Sequence, residues 1–299
     1  MWILFAFGSA FFAGITAVLA KCGIKDVDSD AATAVRTVVV LVFSWVMVFV
    51  SGSEIGPISA KTWTFLILSG LATGASWLCY FKALQLGDVN KVAPIDKSST
   101  VLTMLLAFIL LGEPLGVYKV ISMVLIAIGT YLMLNIQKST TEVKGYKWLV
   151  LAVMSAVFAS LTAILGKVGI EGIDSTLGTA IRTVVVLIMA WMIVFVTGKK
   201  NTLKHIDRHS MLFLILSGIS TGASWLCYYR ALKTGQAGVV VPIDKLSIIV
   251  TIAFSYIVLK EKLSAKSWLG LILITAGTLL LLVCLLYTSP SPRDRSVSR

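Results

Sequence analysis

Leu66–Leu84 reads LILSGLATGASWLCYFKAL, and Leu214–Leu232 reads LILSGISTGASWLCYYRAL. Two stretches of 19 residues that differ at four positions do not arise by chance, so the chain carries an internal repeat. Working outward, Val35–Leu41 (VRTVVVL) returns as Ile181–Leu187 (IRTVVVL), 146 residues later. Pro94–Lys97 (PIDK) returns as Pro242–Lys245, 148 residues later.

The repeats are apolar. The chain is 58% hydrophobic and 13% charged, with mean hydropathy +0.94, whereas a soluble domain carries about 25% charged residues. Apolar runs of some 20 residues recur, and each is long enough to cross a hydrocarbon core of about 30 Å. Lipid offers no hydrogen-bond partners, so these runs must be helices. Segments such as Val38–Val50 are apolar on every side and lack the alternation of a barrel strand. The pattern predicts helices near 2–20, 30–51, 62–84, 91–111 and 117–136, then 148–167, 177–197, 210–232, 239–259 and 266–285. The expected fold is an all-α integral membrane protein of ten transmembrane helices. Five helices is an odd number, so the second unit should cross the membrane in the opposite sense, giving two inverted five-helix repeats. The first unit spans 1–136, a polar linker 137–147, the second unit 148–285, and a tail 286–299. That geometry suits alternating access around a midplane site.

The net charge of +12 does not point to nucleic acid, because the Lys and Arg lie in short loops where topology signals belong. Fourteen fall on one side and five on the other, leaving out the tail, which places both termini outside. Met1–Ala20 lacks a basic leader and reads as the first membrane helix rather than a signal peptide. Cys22, Cys79, Cys227 and Cys284 lie in or beside apolar segments and read as inert thiols.

Ionisable side chains at membrane depth cost about 2.5–3.5 kcal/mol each on insertion scales, and they mark functional sites by default. Six occur, as repeat-related pairs: Arg36 and Arg182, Asp96 and Asp244, Lys97 and Lys245. Arg36 lies seven residues past Ser29, a plausible N-cap, and so about 10 Å into its helix. It shares a face with Thr33 and Thr37, as Arg182 does with Thr179 and Thr183. Either arginine could bind an anionic substrate group with its donor fork. The competing reading has it snorkel to the interface or pair with Asp28, Asp30 or Asp174. Asp96 and Asp244 could relay protons or meet a substrate amine, and Lys97 and Lys245 could hold a carboxylate. Alternatively, these four lock helix ends as structural ion pairs. Trp77 and Trp225 lie deeper than an interfacial belt and are candidates for a cavity wall. Gly70-x-x-x-Gly74 and Gly218-x-x-x-Gly222 read as close-packing faces. Glu113 and Glu261 read as caps of turns at the membrane surface. His205 and His209 belong to a solvated basic loop, so no metal site is expected, and no cofactor is implied. There is no HExxH, Walker loop or GxSxG, and no membrane helix contains a histidine, so the chain does not read as an enzyme.

With its two-unit, ten-helix layout, LLGEPL at Leu110–Leu115, its counterpart VLKEKL at Val258–Leu263, and trailing helices with Gly129 and Gly277, the chain resembles the EamA branch of the drug/metabolite transporter superfamily. The second copy departs from the pattern, with Lys260 and Lys262 in place of Gly112 and Pro114. The resemblance implies termini inside, against the charge count. It also implies a secondary transporter for small metabolites such as amino acids, nucleosides or drugs. The expected setting is a multi-pass protein of a bacterial-type inner membrane, its partners the lipid bilayer and a small polar substrate, with proton coupling through the carboxylates as one option. A non-transporting scaffold or sensor is the alternative. Cys284–Asp294 (CLLYTSPSPRD) resembles a translated sequencing adapter, so the native chain is expected to end near Val283, followed by a disordered tail.

Overall fold

A computed structural model of the chain describes residues 1–23, 27–53, 55–86, 95, 98–133, 146–199, 206–259 and 264–288. These residues fold as helices and short connections, with no strand among them. In chain order the helices are α1 (Trp2–Gly23), α2 (Ser29–Val50), α3 (Ala60–Leu86), α4 (Ser99–Leu111), α5 (Val117–Met133), α6 (Lys147–Ile170), α7 (Ser175–Val196), α8 (Arg208–Thr234), α9 (Ala237–Lys245), α10 (Ser247–Leu259) and α11 (Ala265–Thr288). Seven of them are long and apolar enough to cross a membrane, namely α1, α2, α3, α6, α7, α8 and α11. The chain is therefore a multi-pass helical membrane protein. Large apolar side chains such as Val42, Ile109, Phe195 and Ile272 stand on its outer surface, where lipid rather than water would cover them.

Local chemistry sets the helix starts. Asp28 caps α2 by accepting from the N–H groups of Asp30 and Ala31 at 2.9 and 3.4 Å. The cap is thus Asp28, one residue before the expected Ser29, and one carboxylate oxygen meets two of the orphan donors at once. Asp174, 146 residues on, caps α7 through Thr176 and Leu177. Asp207 does the same for α8.

Packing follows the repeated segment. Ser69 and Ser76 of α3 donate to the carbonyls of Thr162 and Ser155 on α6 at 2.8 and 3.1 Å. Their counterparts Ser217 and Ser224 of α8 donate to Thr16 and Ser9 of α1, each at 3.1 Å. The glycine faces pack as the sequence predicts. A Cβ on Gly70 would lie 2.7 Å from Val185 Cβ, and one on Gly218 would lie 2.7 Å from Val39 Cβ. At the periphery α5 and α11 cross closely, with Gly129 facing the Gly270 carbonyl.

One expected helix is not continuous. The sequence predicts a single helix over 239–259, but α9 ends at Lys245 and α10 begins at Ser247. Pro242 lies inside α9 and lacks the N–H that would bond the preceding turn. The backbone tightens at Leu246, whose N–H bonds the Ile243 carbonyl three residues back at 2.9 Å. In the first unit, Ser98 N–H bonds the Ile95 carbonyl in the same way at 3.2 Å. Helix α11 runs to Thr288, past the expected helix end at residue 285 and into the expected tail; residues 289–299, and with them most of that tail, lie outside the described residues.

Candidate functional site

A cavity of about 400 Å³ opens at the centre of the bundle, between α1, α2, α3, α6, α7, α8 and α9. Arg36, Arg182, Trp77, Trp225, Asp244 and Lys245 all line it. The structure thus brings together six of the eight residues singled out in the sequence. The other two, Asp96 and Lys97, lie outside the described residues.

Arg182 is 3% exposed. Its Nε donates to Ser69 Oγ at 3.0 Å and its Nη2 to Thr73 Oγ1 at 2.6 Å. The guanidinium lies over the rings of Trp225 and Tyr229, with its carbon 4.9 and 4.8 Å from their centroids. Its Nη1 is buried and has no partner among the described residues. Arg36 mirrors it across the repeat: its Nη2 donates to Thr221 Oγ1 at 2.9 Å, and its Nε is buried without a described partner. Thr73 and Thr221 are equivalent positions, so each arginine reaches from one half of the chain to the other. Arg36 also lines an adjoining space of about 190 Å³ with Thr33, Thr37 and both tryptophans.

The ion pairs considered for these arginines are not made. Asp28 and Asp30 hold Lys199, whose Nζ is 2.8 and 2.6 Å from their carboxylates. Asp174 accepts from Ser53 at 2.8 Å and faces Arg230 at 3.5 Å. Burial alone would raise the Asp28 carboxyl, but Lys199 and the two helix N–H groups outweigh it and hold it below the ordinary carboxylate value. Burial would likewise lower Lys199, and its two carboxylates instead hold it above the ordinary lysine value. Asp28 and Asp30 are committed at one end of the α2/α7 pair and Asp174 at the other, and neither cavity arginine has a carboxylate within 4 Å among the described residues.

Asp244 stands at the end of α9, where the helix breaks. Ser9 Oγ donates to its Oδ1 at 2.5 Å, and Ser224 Oγ donates in turn to the Ser9 carbonyl. Tyr228 and Tyr229, edge to face at 5.2 Å, complete this wall. The sequence reading missed Ser9, Thr73 and Thr221. The two threonines sit in the repeated TGASW segment, and an i−4 hydroxyl one turn before a deep tryptophan was the available signal. Of the two histidines, His209 packs against the Phe213 ring, while His205 lies outside the described residues, as does Glu261. Cys22, Cys79 and Cys227 are free thiols.

A helical bundle that crosses the membrane many times around a polar, cation-rich cavity is the class of protein that fold and site define. The pattern of the EamA-like transporter family matches residues 1–135 and again residues 146–283. The chain belongs to that family and is a membrane transporter. A Sinorhizobium protein described as an uncharacterized transporter of the cobO 3′ region is 49% identical over 136 residues, which are 46% of this chain but 96% of that relative. An uncharacterized transporter of Archaeoglobus fulgidus is 24% identical over 94% of this chain and 98% of its own length. A solved structure described only as the crystal structure of a protein superposes with TM-score 0.78 over 95% of this chain and 98% of its own, at 15% identity, which establishes a shared fold.

Proposed function

We propose that the chain moves a small polar metabolite across a bacterial-type inner membrane by alternating access between two inverted five-helix repeats. The units are 1–136 and 148–285, joined by the linker 137–147, and together they make ten spans. Several observations support the inversion. Serine-to-carbonyl, glycine-to-valine and arginine-to-threonine contacts all occur twice, at repeat-related positions. A relative about the length of one unit exists on its own. The broken segment α9–α10 has the form that discontinuous helices take at transporter sites.

The observation that carries the reading is the pair of arginines. Each comes from a different half, each lines the same cavity, and each keeps a buried N–H without a partner among the described residues. A structural arginine is expected to saturate its fork, whereas these retain donors for something that enters. The arrangement favours a substrate with a carboxylate or comparable anionic group, zwitterions included. Trp77 and Trp225 supply flat walls, and Asp244 with Lys245 adds an acid and a further cation to the lining. Asp96 and Lys97 are their proposed counterparts in the first unit, and the two aspartates are the proposed proton carriers if transport is proton-coupled.

The test is flux in proteoliposomes against amino acids, nucleosides, organic acids and cationic drugs, with and without a pH gradient. Wild type is compared with Arg36→Ala, Asp96→Asn and Asp244→Asn. Saturable flux that disappears in folded variants supports the site, and dependence on the gradient supports the carboxylate role. Undiminished flux in all three variants moves the site elsewhere. No flux of any compound favours a scaffold or sensor.

A further inference from the structure

Glu113 is a buried carboxylate, 8% exposed, that does not line the cavity. It belongs to the LLGEPL turn between α4 and α5. Gly112 adopts the left-handed conformation (φ +64°), which turns the chain so that the Glu113 N–H closes α4 on the Ala107 carbonyl at 3.2 Å. Its side chain points away from that turn, into the other half of the molecule. Oε1 accepts from Ala237 N–H at 2.6 Å and Oε2 from Gly238 N–H at 2.9 Å. Glu113 is therefore not a surface-turn cap, as the sequence suggests, but a two-pronged cap on the first turn of α9. Gln236, the N-cap residue, makes no side-chain cap bond of its own and instead accepts from Lys119 at 2.9 Å. Lys167 and Lys119 lie 3.7 and 3.9 Å from the two carboxylate oxygens, and Lys167 also donates to the Gly235 carbonyl.

The position of α9 matters for the site because Asp244 and Lys245 are its last residues. The helix has nine residues, too few to be stable alone. At its far end the tightened turn at Leu246 interrupts the regular α-helical bonding towards α10. Besides apolar packing and the Ser9 bond to Asp244, its axial position and rotation rest on the polar contacts at its first turn, about 10 Å from Asp244 at 1.5 Å per residue. We propose that Glu113 is a positioning residue: its carboxylate, with Lys119 and Lys167, fixes α9 so that Asp244 and Lys245 stand in the cavity wall. The proposal rests on the reading of that cavity as the substrate site.

The experiment uses the full chain in detergent and in proteoliposomes. Glu113→Gln keeps the shape but removes the charge, and it sets an NH₂ against one of the two N–H donors. Gly238→Ala is a second, independent variant, because its Cβ would lie 3.0 Å from Oε2 and would displace the carboxylate without altering it. Amide exchange and maleimide labelling of a Lys245→Cys probe are read in each background. The expected result is exchange at least tenfold faster across 237–245, unchanged exchange in α7, and a labelling rate at position 245 changed at least threefold. A Lys119→Met/Lys167→Met pair keeps both N–H bonds and should give a smaller change. Flux of any substrate carried by the wild type should fall at least tenfold in Glu113→Gln. Three outcomes overturn the proposal: no change in exchange, equal acceleration in all helices, or faster exchange of α9 with unaltered labelling at 245. If the wild type carries nothing, the transport reading fails, while exchange and labelling still decide the role of Glu113.

Discussion

At the scale of the residue, the two arginines show how far a one-dimensional pattern reaches. Seven residues past a cap puts a guanidinium about 10 Å inside a helix, and no structure is needed to see that the position is costly. What the pattern could not supply was the partner, because Thr73 and Thr221 belong to the opposite repeat. The nearby acids looked like natural partners in sequence, yet at the helix ends they are held by Lys199, Ser53 and Arg230. Charge alone does not explain Arg182: its fork spans Ser69 and Thr73 while its plane stacks on two rings. Lysine cannot do both. Arg182→Lys should therefore lower flux or substrate affinity at least tenfold, about 1.4 kcal/mol. Arg182→Ala should lower it further, because it also removes the charged donor from Ser69 and Thr73 and leaves them their bonds to the Thr162 and Ser69 carbonyls. Reconstituted flux, with monodispersity as the check on folding, measures both.

At the scale of the element, apolar run length located the helices but could not show the break inside one of them. Residues 239–259 are apolar apart from Asp244, Lys245 and the hydroxyls of Ser247, Thr251, Ser255 and Tyr256, and a helix begun at Val239 would hold Pro242 in its first turn. It lies inside α9 because that helix starts at Ala237, where Glu113 provides the cap. The glycine faces, in contrast, were legible, since a small residue every fourth position needs only a neighbouring helix to explain it. Gly218→Ala places a methyl 2.7 Å from Val39 Cβ and 3.0 Å from the Arg36 carbonyl. Overpacking of this kind costs about 1–3 kcal/mol. The expected outcome is a lower thermal midpoint in detergent, together with weakened substrate binding, because the segment pushed aside carries Arg36. Unchanged binding at a lowered midpoint would separate packing from the site.

At the scale of the whole molecule, the two membrane surfaces are closed differently. Lys199 joins the end of α7 to Asp28 and Asp30 at the start of α2. The repeat equivalent of Lys199 is Ser53, which makes a neutral donor's hydrogen bond to Asp174. One surface is thus held by charge and the other mainly by a hydroxyl. Asp28 is lowered in the folded protein, so its contribution is present above the ordinary carboxylate value near 3.9 and is lost as pH falls below it. Lys199 is raised, so its contribution is present below about 10.4 and is lost as pH rises beyond that. Stability of the detergent-solubilised protein should show a plateau between these limits. In Lys199→Ala the plateau should drop, by no more than about 1 kcal/mol for a pair this close to solvent, and its alkaline edge should soften. A pH series of thermal midpoints for both proteins checks this.

The sequence by itself determined the solvent, the helices, the duplication and the depth of the charges. Each of these is a local or periodic property: hydropathy over 20 residues, self-similarity at a fixed offset, distance from a cap. Only the tertiary structure decided which half each charge serves. Arg36 bonds α8, Arg182 bonds α3, Asp244 is held by Ser9, and Glu113 caps a helix 124 residues further along the chain. These are contacts between surfaces that meet only when the two units pack together. Their free energy depends on geometry across that interface, to which no local pattern along the chain corresponds.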